Sequence, residues 1–263
     1  MTNTGRQADL KVRLSEVRLY NVRLYKVRLY ATRVAYITRV AAVALLTFVA
    51  LLTFVEAGLQ ARLYAQAPAA GRHGRLFPPQ DLGLLEGPDR DAWQKPDQIM
   101  DALAVADGSA VADIGAGAGW FTIRLARRVG PNGIVYAQDV QRQMLEAIRR
   151  RVAREGLRNV ETRLGAGSAP NLPDRSLDAV LVVDVYPEVE DRVTFLRNLA
   201  AALKPGGRLG IVNYKPGRGG PGPGPGEGER VDSASVERDA QAAGLRVLAR
   251  QTLPYQYLLV LGR

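Results

Sequence analysis

From residue 110 onward, short apolar runs alternate with longer amphipathic stretches, and this alternation restricts the possible folds more than any other feature of the chain. Seven runs have strand character: 110–114, 133–138, 160–164, 179–183, 208–212, 245–252 and 257–261. The stretches 121–129, 142–155, 192–203 and 233–243 carry helical patterns, the last closed by Gly244. Strand and helix repeated in this way imply an α/β fold, a mostly parallel sheet covered by helices on both faces. Ligands in such sheets lie beyond the carboxyl ends of the strands, so the loops that follow each strand are where function is sought.

The loop after the first strand is the most informative. Residues 111–126 read VADIGAGAGWFTIRLA. Glycines at alternate positions, Gly115, Gly117 and Gly119, let the backbone turn tightly and approach a ligand with no Cβ in the way, and Asp113 lies just before the turn. A dinucleotide fingerprint would place its third glycine at position 120, where this chain has Trp120. A phosphate-binding P-loop would end in Gly-Lys-Ser/Thr, which is absent. The second strand, GIVYAQD, ends at Asp139, 20 residues beyond Gly119. A carboxylate at that tip can accept hydrogen bonds from both hydroxyls of a ribose lying across the glycine loop, and it would repel a 2′-phosphate.

Scarce residues remove whole classes of chemistry. The chain has no cysteine, which excludes disulfides, thiolate metal sites and cysteine nucleophiles. Its one histidine, His73, stands in a Gly/Arg-rich stretch, which excludes a Ser-His-Asp triad or a multi-histidine metal site in the main domain. The net charge of +10 suggests a polyanionic partner until it is divided along the chain. Residues 1–75 hold 12 Lys/Arg against 3 Asp/Glu, and the remainder holds 24 against 23. The main domain is nearly neutral, so no nucleic-acid partner is expected.

The basic amino-terminal segment repeats VRLSE, VRLYN, VRLYK, VRLYA from Val12, then ALLTFV twice in succession. A five-residue step holds neither one helix face nor one strand face. Residues 40–55 are uncharged and preceded by nine basic residues, the layout of an export signal or, with the apolar run extended back to residue 34, of a membrane anchor. Cleaved signal, uncleaved anchor and misassigned start all fit this pattern. Membrane association through 34–55 and an exported or anchored domain follow if the leader is genuine, and a cytoplasmic protein if it is not. The expected organisation is a basic leader 1–39, an apolar segment 40–55, a linker 56–79 and a domain 80–263.

DIGAGAG, the strand-end Asp139, the segment LPDRSLDAVLVVDVY at 172–186 and LKPGGRLGIV at 203–212 resemble, in order, the motifs of class I S-adenosylmethionine-dependent methyltransferases. The resemblance covers about 81–263 and implies a Rossmann-like, seven-stranded sheet whose last strand runs antiparallel, with S-adenosyl-L-methionine as cofactor. More narrowly, PDRDAWQKPDQIMDAL at 88–103 and DVYPEVEDR at 184–192 are similar to bacterial methyltransferase-like proteins of unassigned substrate, many with export-like leaders. In those proteins a histidine follows the tyrosine at the position of Tyr186, where this chain has Pro187, and the third-strand loop is commonly acidic, where this chain has GAGSAPNLP.

The resemblance implies that Asp113, Gly115, Ala116, Gly117, Gly119, Asp139, Val140, Gly165, Ala166 and Asp184 bind the cofactor. Gly165, Ala166 or the Ser168 hydroxyl would meet adenine. Tyr186 and Glu188, which follow the fourth strand, are the expected catalytic residues on the side of a small-molecule acceptor, with an aromatic lid as the other reading of Tyr186 and a solvated helix start as that of Glu188. Trp93 is read as closing over the methionine end or as a buried anchor. The Pro/Gly-rich segment 215–230 is read as a connector or a lid.

Overall fold

The computed structural model describes residues 76–78, 83, 87–217 and 224–263, which fall within one compact unit, Ala70–Arg263. The repeats, the apolar run and most of the linker lie outside the described residues. Among the described residues, no helix is long and apolar enough to cross a membrane.

Seven strands form one sheet in the order β3-β2-β1-β4-β5-β7-β6. They are β1 Ala110–Ile114, β2 Ile134–Asp139, β3 Val160–Leu164, β4 Leu177–Val183, β5 Leu203–Tyr214, β6 Arg246–Thr252 and β7 Gln256–Gly262. β7 pairs antiparallel with both β5 and β6, and the remaining pairings are parallel. The expectation of a mostly parallel seven-stranded sheet with an antiparallel last strand is met.

The helices are α1 Arg90–Gln94, α2 Pro96–Ala102, α3 Trp120–Val129, α4 Arg142–Arg154, α5 Arg192–Ala202 and α6 Ser233–Ala242. Both faces of the central strands are apolar, as a parallel sheet covered twice requires. One face of the sheet and α5 bury Ile114, Val180, Leu196, Leu199, Leu209 and Ile211. Ile99 and Leu103, around α2, and Leu125 and Val129 of α3 pack with Leu181 and Leu258 in a second cluster.

Local chemistry sets the boundaries. Gly119, at φ 80, opens α3, and the Asp191 and Asp232 carboxylates accept the Thr194 and Ser235 amides to open α5 and α6. β5 starts five residues earlier than the pattern predicts, because Leu203 pairs with Leu177 before a register shift carries the Lys-Pro-Gly-Gly stretch past the edge of β4.

Candidate functional site

The carboxyl ends of β1, β2 and β4 meet at the glycine turn. Gly115, Gly117 and Gly119 have φ of 64, 54 and 80, so all three occupy the left-handed region that favours glycine. At Gly115 space adds a second restriction: a Cβ there would lie 2.2 Å from Val185 Cγ2. The turn therefore packs directly on the chain leaving β4. Ala116 N–H donates to the Gln138 carbonyl at 2.9 Å, and Gly115 N–H to Gln138 Oε1 at 3.3 Å.

Asp139 closes the other side of the turn. Its Oδ2 accepts from Gly117 N–H at 3.0 Å and its Oδ1 from Gln141 N–H at 2.9 Å. Burial raises its pKa, and these backbone donors counter the shift by favouring the ionised form. Val140, the next residue, is among the exposed large apolar side chains. A fixed carboxylate beside an open apolar surface fits a ribose, which needs hydrogen-bond acceptors, joined to a base, which needs a flat apolar contact. The donor set thus suits the nucleoside half of S-adenosylmethionine.

Gly165 is buried, and a Cβ on it would sit 1.8 Å from Gln138 Nε2. The third-strand loop then folds on itself, with Ala166 and Ala169 exchanging both backbone hydrogen bonds at 3.0 and 2.8 Å. The Ser168 carbonyl accepts from Asn198 Nδ2. Gln138 ties this loop to the glycine turn, a role that the sequence pattern, a polar residue inside an apolar strand, could have signalled.

Asp113 is 3% exposed and accepts from Thr122 Oγ1 at 2.6 Å. Burial pushes it up to about 6, against the opposing effects of Thr122 and the Arg90 guanidinium. Trp120, in place of a third glycine, is buried at the start of α3 with Arg124 3.5 Å and Arg90 4.2 Å from its ring centroid. Arg90 thereby fastens α1 to the helix that leaves the glycine turn.

The segment after β4 separates its two expected catalytic residues. Tyr186 is 0% exposed, and its hydroxyl donates to Asp239 of α6 at 2.5 Å. Neither a lid nor an acceptor contact is compatible with that position, so the reading of Tyr186 as catalytic is corrected: here it is a core anchor whose pKa burial raises far above the usual phenol range. Glu188 instead lines an open cleft of about 440 Å³ with Pro187, Val189 and Arg192. Burial first, then the charges of Asp139, Glu229 and Asp184, push it up to about 7.

Asp184 adopts φ 57 and is part-buried, with both carboxylate oxygens receiving the Gln256 amide. Trp93 packs against Tyr214 and Tyr255, with ring centroids 6.1 and 6.0 Å apart, as an anchor for α1 on β5 and the turn before β7. The two ends of the Pro/Gly-rich segment are joined by hydrogen bonds from Gly217 to Glu227 and from Arg230 to Lys215. Its middle, 218–223, lies outside the described residues. Among the described residues no acid or histidine cluster could hold a metal ion.

Residues 111–207 match a family model described as a methyltransferase domain. A demethylmenaquinone methyltransferase from Geobacillus stearothermophilus is 34% identical over 115 residues, 44% of this chain and 48% of that protein. The ubiquinone/menaquinone biosynthesis C-methyltransferase UbiE of Pasteurella multocida is 34% identical over 122 residues, 44% of this chain and 43% of that protein. The chain therefore spans about half the length of the curated relatives it matches. A crystal structure of a SAM-dependent methyltransferase from Aquifex aeolicus superposes with a TM-score of 0.67 at 28% identity, covering 71% of this chain and 98% of that one.

Proposed function

We propose that the chain is a class I S-adenosylmethionine-dependent methyltransferase, as its methyltransferase-domain match and its likeness to a SAM-dependent methyltransferase structure support, and that it transfers the methyl group of that cofactor to a small-molecule acceptor. The curated relatives named for quinone methylation support an acceptor of that size. The single observation that carries the reading is Asp139, buried at the tip of β2 and oriented by the Gly117 and Gln141 amides.

When bound, the cofactor supplies an electrophilic methyl group on a sulfonium. The chain's share of the work is placement. Asp139 would hold the ribose hydroxyls, Val140 would cover one face of the base, and Gly165 and Ala166 would border its edge. The turn from Gly115 to Gly119, Ala116 included, with Asp113 just before it, would hold the remainder of the cofactor. Glu188 would line the acceptor side, across the segment that leaves β4. Holding acceptor and methyl carbon in line lowers a barrier by roughly 7–11 kcal/mol in well-oriented systems, so no covalent nucleophile is needed.

Calorimetry on the full-length chain tests this reading. S-adenosylmethionine and S-adenosylhomocysteine should both bind, and Asp139→Ala should weaken binding by at least about 10-fold, the loss of one charge-assisted contact or more. A folded chain that binds neither would defeat the proposal.

A further inference from the structure

Beyond the tip of β4, four side chains form one hydrogen-bonded line. Arg90 Nε donates to Gln94 Oε1 at 3.2 Å, Gln94 Nε2 donates to Gln256 Oε1 at 2.5 Å, and Gln256 Nε2 donates to the two Asp184 oxygens at 2.9 and 2.7 Å. Gln94 and Gln256 are both 0% exposed. Buried amides destabilise a core unless every partner is met, and an apolar pair of similar size would fill the space between α1 and β7 without that demand. The line therefore has a use in orienting its end point, Asp184.

The end point is placed for chemistry. Asp184 N–H donates to the Val212 carbonyl at 2.9 Å, which pins the backbone in its left-handed turn at the carboxyl end of β4. The next residue, Val185, packs on the glycine turn, so Asp184 stands one residue from the contact between that turn and the chain leaving β4. Asp184 keeps partial exposure while its supporting amides have none.

We propose that Asp184 is the proton acceptor for the molecule being methylated, and that Gln256 and Gln94 are positioning residues that aim its carboxylate. The proposal rests on the methyl-transfer reading above. In the step, the acceptor's O–H, N–H or C–H proton passes to an Asp184 oxygen. The electron pair released on the acceptor forms the bond to the methyl carbon, and the pair of the breaking carbon–sulfur bond returns to sulfur, leaving a neutral thioether.

The surroundings suit a base working near neutrality. Burial pushes Asp184 up to about 7, while Arg90 of α1 and the Gln256 amide of β7 restrain the rise. Tyr214 of β5, Tyr257 of β7 and Glu188 after β4 are the other titratable groups that sense its charge. Among the described residues, Glu188, by contrast with Asp184, has no hydrogen-bonded line of side chains behind it to fix its direction.

The test uses the full-length chain labelled with carbon-13 at aspartate carboxyls, with Asp184→Asn to identify the resonance and to remove the base without changing shape. Asp184 should titrate near neutrality. Gln256→Leu should raise that midpoint by about half a pH unit or more, since a donor to the charged form is lost, and Gln94→Leu should raise it by less. S-adenosylhomocysteine binding should survive in Asp184→Asn, while transfer of tritiated methyl from S-adenosylmethionine into a bacterial small-molecule extract falls about 100-fold or more. The acidic limb of the transfer profile should move with the carboxyl midpoint in Gln256→Leu.

An Asp184 midpoint in the ordinary carboxylate range, or undiminished transfer by Asp184→Asn, would overturn the assignment. So would loss of S-adenosylhomocysteine binding in that variant, which would make Asp184 a cofactor ligand. Wild-type protein that fails to bind S-adenosylhomocysteine would instead bring down the methyl-transfer reading itself.

Discussion

At the scale of single residues, the same symbol in the sequence serves different ends, and only the surroundings separate them. Gly115 and Gly167 both have positive φ, 64 and 53, yet a Cβ on Gly115 meets Val185 while one on Gly167 meets nothing within 4 Å. Gly115→Ala is expected to cost roughly 1–3 kcal/mol and to weaken S-adenosylhomocysteine binding, and Gly167→Ala to cost only its backbone strain, about 1 kcal/mol. Urea unfolding read beside calorimetry checks both. Tyr186 is the complementary case. Its place after β4 is legible in the sequence, but the partner of its buried hydroxyl is Asp239, 53 residues later, which no local pattern brings near. Tyr186→Phe should cost about 1–2 kcal/mol of stability and leave cofactor binding unchanged. A drop in affinity without a drop in stability would restore the lid.

Elements were more legible than residues because a strand or helix is written in many positions at once. β1 and β3 have the bounds that the apolar pattern predicts, and all four predicted helices agree to within a residue at each end. The misses fall where periodicity has no grip. α1, five residues long, is too short to show a period, and it is fixed by Arg90 on Trp120 and by Trp93 on Tyr214 and Tyr255. That element also carries Gln94, so the polar line to Asp184 was illegible for the same reason. Helix starts are local and can be tested locally. The Asp232 carboxylate accepts the Ser235 amide at 2.8 Å to open α6. Asp232→Ala should therefore lower stability by about 1 kcal/mol in denaturant titration, with cofactor binding unaltered because α6 lies behind the core anchor Tyr186. A loss of binding in that variant would mean that the seating of α6 and Asp239 reaches the site.

For the molecule as a whole, the charge that dominates the sequence is not the charge that matters at the site. The excess of basic residues belongs to 1–75, whereas the carboxyl ends of β1 and β4 and the segment that follows β4 carry raised carboxylates: Asp113 at about 6, Asp184 at about 7 and Glu188 at about 7. Each is raised above its unfolded value of about 4, chiefly by burial, so the folded chain binds these protons more tightly than the unfolded chain does. Their contribution is fully present below pH about 4 and is lost as pH rises through about 6 to 7, after which it stays lost. Acids held low, such as Asp178 beside Lys204 and Glu237 beside Arg250, act in the opposite sense, but they do so on the surface and below pH about 4, where their protonation removes stability. Between pH 5 and 8 the raised group therefore sets the slope, and the urea midpoint should fall across that interval. Asp184→Asn supplies a neutral side chain that can still accept the Gln256 amide. It should flatten the decline and raise stability at pH 8 by on the order of 1–3 kcal/mol, while changing little at pH 5. A variant that is no more stable than wild type at pH 8 would show that the folded chain carries the Asp184 charge without penalty. In that event the burial of Gln94 and Gln256 would have to be explained by packing rather than by the carboxylate they face.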